Sequence, residues 1–150
     1  MVRVQRKKRN NEEETIQSDY ITCVRLYENK YPQLSMILHI PNGGQRSLHE
    51  GAIFKKLGVS PGAPDIAVFV PSPSGVWGIN NPPKGKAPDK KYHALFIEFK
   101  SKVGTQKAVQ KSWENSLTAY GYKYEIHRSW ISAWNSTVEY LELPKTLIVL

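Results

Sequence analysis

Two apolar runs, Asp65-Ile66-Ala67-Val68-Phe69-Val70 and Leu95-Phe96-Ile97-Glu98-Phe99-Lys100, limit what this chain can become. Both have the composition of β-strands, and the turn Gly58-Val59-Ser60-Pro61-Gly62-Ala63-Pro64 leads into the first. Side chains alternate across a strand. Glu98 and Lys100 therefore share one face, while Leu95, Ile97 and Phe99 share the other. After Asp65 the first run is apolar on both faces, as a central strand is. Carboxylates and an ammonium in such strands are costly unless they are paired or bound to a metal. The fold has to gather these charges, or leave part of a strand in water.

The rest of the chain supplies helices around these runs. Acidic residues Glu12, Glu13 and Glu14 open a predicted helix over residues 12–30, where they suit the helix dipole. Ile16, Tyr20, Val24 and Tyr27 form its apolar stripe, and Pro32 stops it. Glu13 and Gln17 share a face beside that stripe. A short strand is expected over residues 34–41. A helix follows over residues 47–57, with Ser47 and Glu50 in capping-box spacing, Ala52, Ile53 and Leu57 facing the core, and Gly58 as C-cap. A third helix over residues 104–120 places Val109, Trp113, Leu117 and Tyr120 on one stripe. Residues 122–127 alternate like a half-exposed strand. Ser129 caps a last helix with Ile131, Trp134, Val138 and Leu141 inward, and Pro144 breaks it. Residues 146–150 suit an edge strand, a packed tail or an oligomer contact. The order of elements predicts an α/β fold, a mixed sheet flanked by helices.

Composition narrows the function classes. At 150 residues the chain fits one domain, expected over residues 12–150 behind a basic N-terminal tail, residues 1–11. The single cysteine, Cys23, excludes an internal disulfide framework or a cysteine-built zinc site and fits a reducing compartment. No apolar run reaches the roughly 18 residues of a membrane span, and no apolar segment follows the basic start as in a secretory signal. An intracellular, non-secreted protein without a membrane partner is expected. The net charge of +8 is localised. Arg3, Arg6, Lys7, Lys8 and Arg9 stand without an acid in the tail, and Lys84, Lys86, Lys90 and Lys91 face only Asp89 in a long loop, residues 71–93. Together they account for the whole excess. Basic segments on a neutral body suggest a polyanion partner, most simply nucleic acid; the plainer alternative is a solvated tail and loop or a nuclear-targeting run.

Asp65, Glu98 and Lys100 together suit metal-assisted phosphodiester hydrolysis. Hard cations such as Mg²⁺ take one or two carboxylates plus water and phosphate oxygens. Asp65 and Glu98 supply the carboxylates, and the carbonyl of Phe99 lies between the charged positions. Lys100 can orient the water or offset developing charge. Singly, each has a plainer reading. Asp65 can start a strand, and Glu98 with Lys100 can be a solvent-facing pair. Their conjunction, a Gly-Pro-Asp turn, then Glu-x-Lys in a strand, then a helix bearing Gln110, favours the first reading.

Gly62-x-Pro64-Asp65 followed by Ile97-Glu98-x-Lys100 resembles the PD-(D/E)XK nuclease superfamily, and within it the VRR-NUC branch. Glu13-x-x-Ile16-Gln17, Pro41-Asn42-Gly43-Gly44-x-Arg46, Leu57-Gly58-Val59-x-Pro61-Gly62-x-Pro64-Asp65, and Gly104 followed by Gln110 and Trp113 are similar to that branch in the same order. The match spans about residues 12–128. The resemblance implies a restriction-endonuclease-like core and a Mg²⁺- or Mn²⁺-dependent deoxyribonuclease. Asp65, Glu98 and the Phe99 carbonyl would be metal ligands, and Glu13, with Glu14 as rival, a helix carboxylate for metal or water. Lys100 would position or activate the nucleophile, and Gln110 would assist. Asn42 and Arg46 would pack the turn or contact phosphate.

Stand-alone members of the branch resemble Holliday-junction resolvases, so branched DNA as substrate and a homodimer are expected, as in DNA recombination and repair. The DNA contacts expected outside the centre are Arg6, Lys7, Lys8, Arg9, Lys84, Lys86, Lys90, Lys91 and Lys102. The loop over residues 71–93 is longer than the branch leads one to expect. Three alternatives stand beside this reading: a non-catalytic DNA-binding module on the same fold, a non-specific or duplex-nicking nuclease, and an unrelated α/β interaction domain.

Overall fold

A computed structural model of the chain describes residues 11–41, 47–72 and 92–150. Their elements run α1 (Glu12–Tyr27), β1 (Ile37–His39), α2 (Leu48–Lys56), β2 (Ile66–Val68), β3 (Leu95–Phe99), α3 (Ala108–Ala119), β4 (Lys123–His127) and α4 (Trp130–Tyr140). One sheet has the order β1-β2-β3-β4. The first three strands pair antiparallel, and β3 pairs parallel with β4 across the α3 crossover. A bridge between Ser72 and Tyr92 closes the base of the long loop, whose residues 73–91 lie outside the described ones.

Alternation along the strands sends side chains to two cores. Leu95, Ile97 and Phe99 join Ile66 and Val68 beneath α1 and α4, where Ile16, Tyr20, Val24, Trp134 and Val138 are buried. On the other face Phe96 and Ala67 pack with Leu117 and Trp113 of α3. The sheet is therefore covered on both sides, and β2 is central, as its apolar run predicts, with β3 as its partner, although β2 spans only Ile66–Val68 and Phe69 beyond it is exposed. The face that carries Glu98 and Lys100 is the α3 face, and both residues are buried. The solvent-facing reading of Glu-x-Lys is thereby excluded.

Several expected boundaries and faces are corrected. α1 ends at Tyr27, and residues 34–36 belong to a 3-10 turn, Pro32–Met36, because Pro32 starts it and Ser35 Oγ donates to the Pro32 carbonyl at 2.6 Å. The capping box of α2 forms as expected, with Gly58 at φ +88° beyond its end. Its Ala52, Ile53 and Leu57 do not face the core, and Leu57 is 74% exposed. The packing explains this. One face of the sheet is covered by α1 and α4 and the other by α3, so α2 packs on neither. α3 starts at Ala108 rather than Gly104, since the Gln110 side chain accepts from Lys107 N–H at 2.8 Å and sets the first turn there. Val109 and Tyr120 are exposed rather than inward. Val109 packs on the Gly62 turn, and Tyr120 lies beyond the helix end. Ile131 is only half-buried, whereas Ser129 caps α4 through Ser132 N–H at 3.1 Å. α4 ends before Pro144, with Glu142 at φ 53° making the turn. The C-terminal residues form a packed tail: Trp134 Nε1 donates to Leu147 O at 2.7 Å, and Asn135 exchanges bonds with both backbone groups of Val149.

Candidate active site

The Gly-Pro turn delivers Asp65. Gly62 has φ +78°, and a Cβ there would meet the Val109 backbone at 2.8 Å. Only glycine lets the turn lie this close to the start of α3. Trp113 Nε1 donates to Pro61 O at 3.2 Å and fastens the turn from the next helical turn. The chain then enters β2, and Asp65 Oδ2 accepts the Phe99 N–H at 2.7 Å. The antiparallel register, Ile66 opposite Ile97, is what brings this carboxylate beside β3.

β3 delivers the other two charges. Glu98 is 2% exposed and Lys100 5%. Lys100 Nζ donates to Glu98 Oε1 at 2.9 Å, and Gln110 Nε2 donates to the same oxygen. Gln110 thus joins the α3 N-terminus to the strand carboxylate, one end of its amide on Lys107 N–H and the other on Glu98. Glu98 Oε2 is buried with no hydrogen-bond partner among the described residues. Burial, then the neighbouring Asp65 charge, push the Glu98 carboxyl up to about 7 despite Lys100. Burial also raises Asp65, against the opposing effect of the Phe99 N–H and the Lys100 charge.

α1 brings a third carboxylate. Glu13 Oε1 accepts from Ser101 N–H at 3.1 Å, just past β3, and its charge adds to the upward pressure on both Asp65 and Glu98. A Cβ at position 104 would lie 3.1 Å from that oxygen, so Gly104 keeps the segment after β3 close to α1. Glu12 Oε1 accepts from Lys102 N–H at 3.0 Å, while Glu14 points outward. Of the two rival helix carboxylates, Glu13 is the one beside the strand charges.

Asp65, Glu98, Lys100, Gln110 and Glu13 are therefore brought to one place, around the Phe99 backbone. Lys102 lies at its edge. Arg6, Lys7, Lys8, Arg9, Asn42, Arg46, Lys84, Lys86, Lys90 and Lys91 lie outside the described residues. Three neighbours escape the sequence reading. Arg128 Nη1 donates to Ser101 O and braces the chain beyond Lys100. The Tyr124 hydroxyl lies within the field of Glu98 and is raised chiefly by burial. His39 Nδ1 lies 2.8 Å from Asp65 O and 2.8 Å from Gln17 Nε2. Gln17 stands out in the sequence one turn after Glu13, whereas Arg128, Tyr124 and His39 carry no spacing signal of their own.

The donor set is all oxygen, which suits Mg²⁺ or Mn²⁺ over a soft metal. Among the described residues no three His, Cys, Asp or Glu side chains gather closely enough to hold a metal by themselves. Two carboxylates suffice for Mg²⁺, which keeps several waters. The unpartnered buried Glu98 Oε2, with Asp65 alongside, is the feature a cation would complete.

No protein-family model and no curated protein matches the chain. Among solved structures, one described as a "VRR_NUC domain protein" superposes with a TM-score of 0.61 over 90% of this chain and 92% of that one, at 20% identity. The mixed sheet with helices on both faces is a restriction-endonuclease-like α/β fold. Within that class, the fold is that of a VRR-NUC domain.

Proposed function

We propose that this chain is a nuclease, a divalent-metal-dependent endodeoxyribonuclease with Asp65, Glu98 and Lys100 at its centre. The observation that carries the reading is the buried Glu98–Lys100 pair facing Asp65, with one Glu98 oxygen left unpartnered. A buried carboxylate oxygen without a donor is destabilising, and a site that accepts this has a use for it. Asp65, Glu98 and the Phe99 carbonyl would hold Mg²⁺ or Mn²⁺, with Glu13 offering a carboxylate to the metal or to its water. When bound, the cation neutralises phosphate charge and makes a water nucleophilic near neutral pH. Lys100, anchored on Glu98, orients that water and offsets charge on the phosphoryl oxygens as the P–O bond breaks. Gln110 keeps Glu98 turned toward Asp65.

DNA is the proposed substrate, branched DNA such as a Holliday junction the preferred form, and a homodimer the proposed assembly. Arg6, Lys7, Lys8, Arg9, Asn42, Arg46, Lys84, Lys86, Lys90, Lys91 and Lys102 are proposed to contact phosphates, a sequence-independent attraction that weakens with salt. Among the described residues no helix is long and apolar enough to cross a membrane. The test is a panel of labelled duplex, hairpin, flap and four-way-junction DNAs incubated with Mg²⁺, Mn²⁺ or EDTA. Metal-dependent products, most abundant from the junction, support the proposal. Binding without product from any substrate would favour a non-catalytic DNA-binding module, and equal cleavage of plain duplex a non-specific nuclease.

A further inference from the structure

We propose that Gln17 and His39 form a positioning pair for Asp65, holding its main chain so that its carboxylate keeps the aim a divalent cation needs. The inference rests on the metal-site reading above. Asp65 stands one residue before β2, at the exit of a turn whose Gly62 is in the left-handed region. Its side chain is held at one end, where Oδ2 takes the Phe99 N–H. Its main chain is held at the other, where the carbonyl accepts Ile40 N–H at 2.8 Å and lies 2.8 Å from His39 Nδ1. A carboxylate on a short side chain has few torsions, so moving its backbone moves its remaining oxygen directly.

His39 is itself held by Gln17, whose amide lies 2.8 Å from the same ring nitrogen. One nitrogen cannot both accept from an amide N–H and donate to a carbonyl. Turning the Gln17 amide by 180° presents its oxygen instead, and a proton on Nδ1 then serves both acceptors. Gln17 follows Glu13 by one helical turn, and Glu13 takes the Ser101 N–H. α1 is thus tied to both arms of the site: through Glu13 to the chain leaving β3, and through Gln17 and His39 to the chain entering β2. Neither residue belongs to the apolar core, and His39 is exposed. Directed bonds from a surface histidine to the carbonyl behind a half-buried carboxylate contribute aim rather than packing.

The test measures Mn²⁺ binding to the DNA-free protein by calorimetric titration, with thermal melting in EDTA, for wild type, His39→Ala, His39→Asn, Gln17→Ala and Asp65→Ala. Loss of a group that orients a metal ligand weakens affinity by roughly 10–100-fold. His39→Ala is expected in that range with its melting temperature nearly unchanged, and Gln17→Ala shows a smaller loss of the same kind. His39→Asn recovers most of the affinity, because its side-chain amide can donate to the same carbonyl. Wild-type affinity in both His39→Ala and Gln17→Ala overturns the proposal, as does a lowered melting temperature in His39→Ala that His39→Asn does not correct. Should His39→Ala not fold, Gln17→Ala and His39→Asn carry the same comparison. A wild-type protein that binds no Mn²⁺, or Asp65→Ala binding as tightly as wild type, defeats the metal-site reading itself and this inference with it.

Discussion

Glu98 is the residue on which the account turns. Its carboxyl is pushed up to about 7 by burial and by Asp65. An acid whose folded pKa lies above its unfolded value near 4.5 retains a proton that the unfolded chain has lost. Stability is therefore highest below about pH 4.5 for this group and falls as pH rises toward about 7. In EDTA, denaturant titrations across that window should show a loss on the order of 2–3 kcal/mol that Glu98→Gln removes. A flat wild-type profile would contradict it. Gly62 makes a second test at this scale. Gly62→Ala adds a left-handed non-glycine residue and a Cβ 2.8 Å from the Val109 backbone. A destabilisation of about 1–3 kcal/mol is expected in chemical denaturation, with cleavage falling further than stability because Asp65 shifts. The residue chemistry was legible in the sequence as Gly-x-Pro-Asp and Glu-x-Lys. The contribution of His39 was not, because a lone histidine in an apolar strand carries no spacing signal, and its bond to Asp65 exists only once β1 and β2 pair.

At the scale of elements, periodicity was a better guide for α1 and α4, which cover the sheet along most of their stripes, than for α3, whose stripe residues Val109 and Tyr120 are exposed, or for α2. The stripe of α1 and the inner face of α4 are buried as their spacing demands, the half-buried Tyr27 and Ile131 excepted. Trp134, fully buried and bonded to Leu147 O, should cost about 3–5 kcal/mol when replaced by alanine. The apolar residues of α2 looked equally inward in sequence, yet no side chain of that helix is buried. Spacing states which residues share a face, not whether anything lies opposite, and α1, α4 and α3 already occupy the sheet's two faces. Leu57→Ser should therefore change unfolding free energy by no more than about 0.5 kcal/mol. A loss of several kcal/mol would mean that α2 packs against something. The first turn of α3 was misplaced for a related reason. Gln110 was legible as a functional candidate, but its second role, capping Lys107 N–H, sets where the helix begins.

At the scale of the whole molecule, four segments far apart in sequence converge: α1, the turn before β2, the end of β3 and the start of α3. The sheet order makes this possible, since β2 and β3 are neighbours and α1 and α3 cover opposite faces at the same end of β3. This convergence is proposed to cut DNA with the help of a divalent cation. The direct measurement follows a labelled four-way junction with wild type and Lys100→Ala, each in Mn²⁺ and in EDTA, after thermal melting has established that both are folded. Products from the wild type in Mn²⁺ alone, and none from Lys100→Ala, are expected. Cleavage by folded Lys100→Ala at the wild-type rate, or wild-type cleavage that persists in EDTA, would contradict the claim.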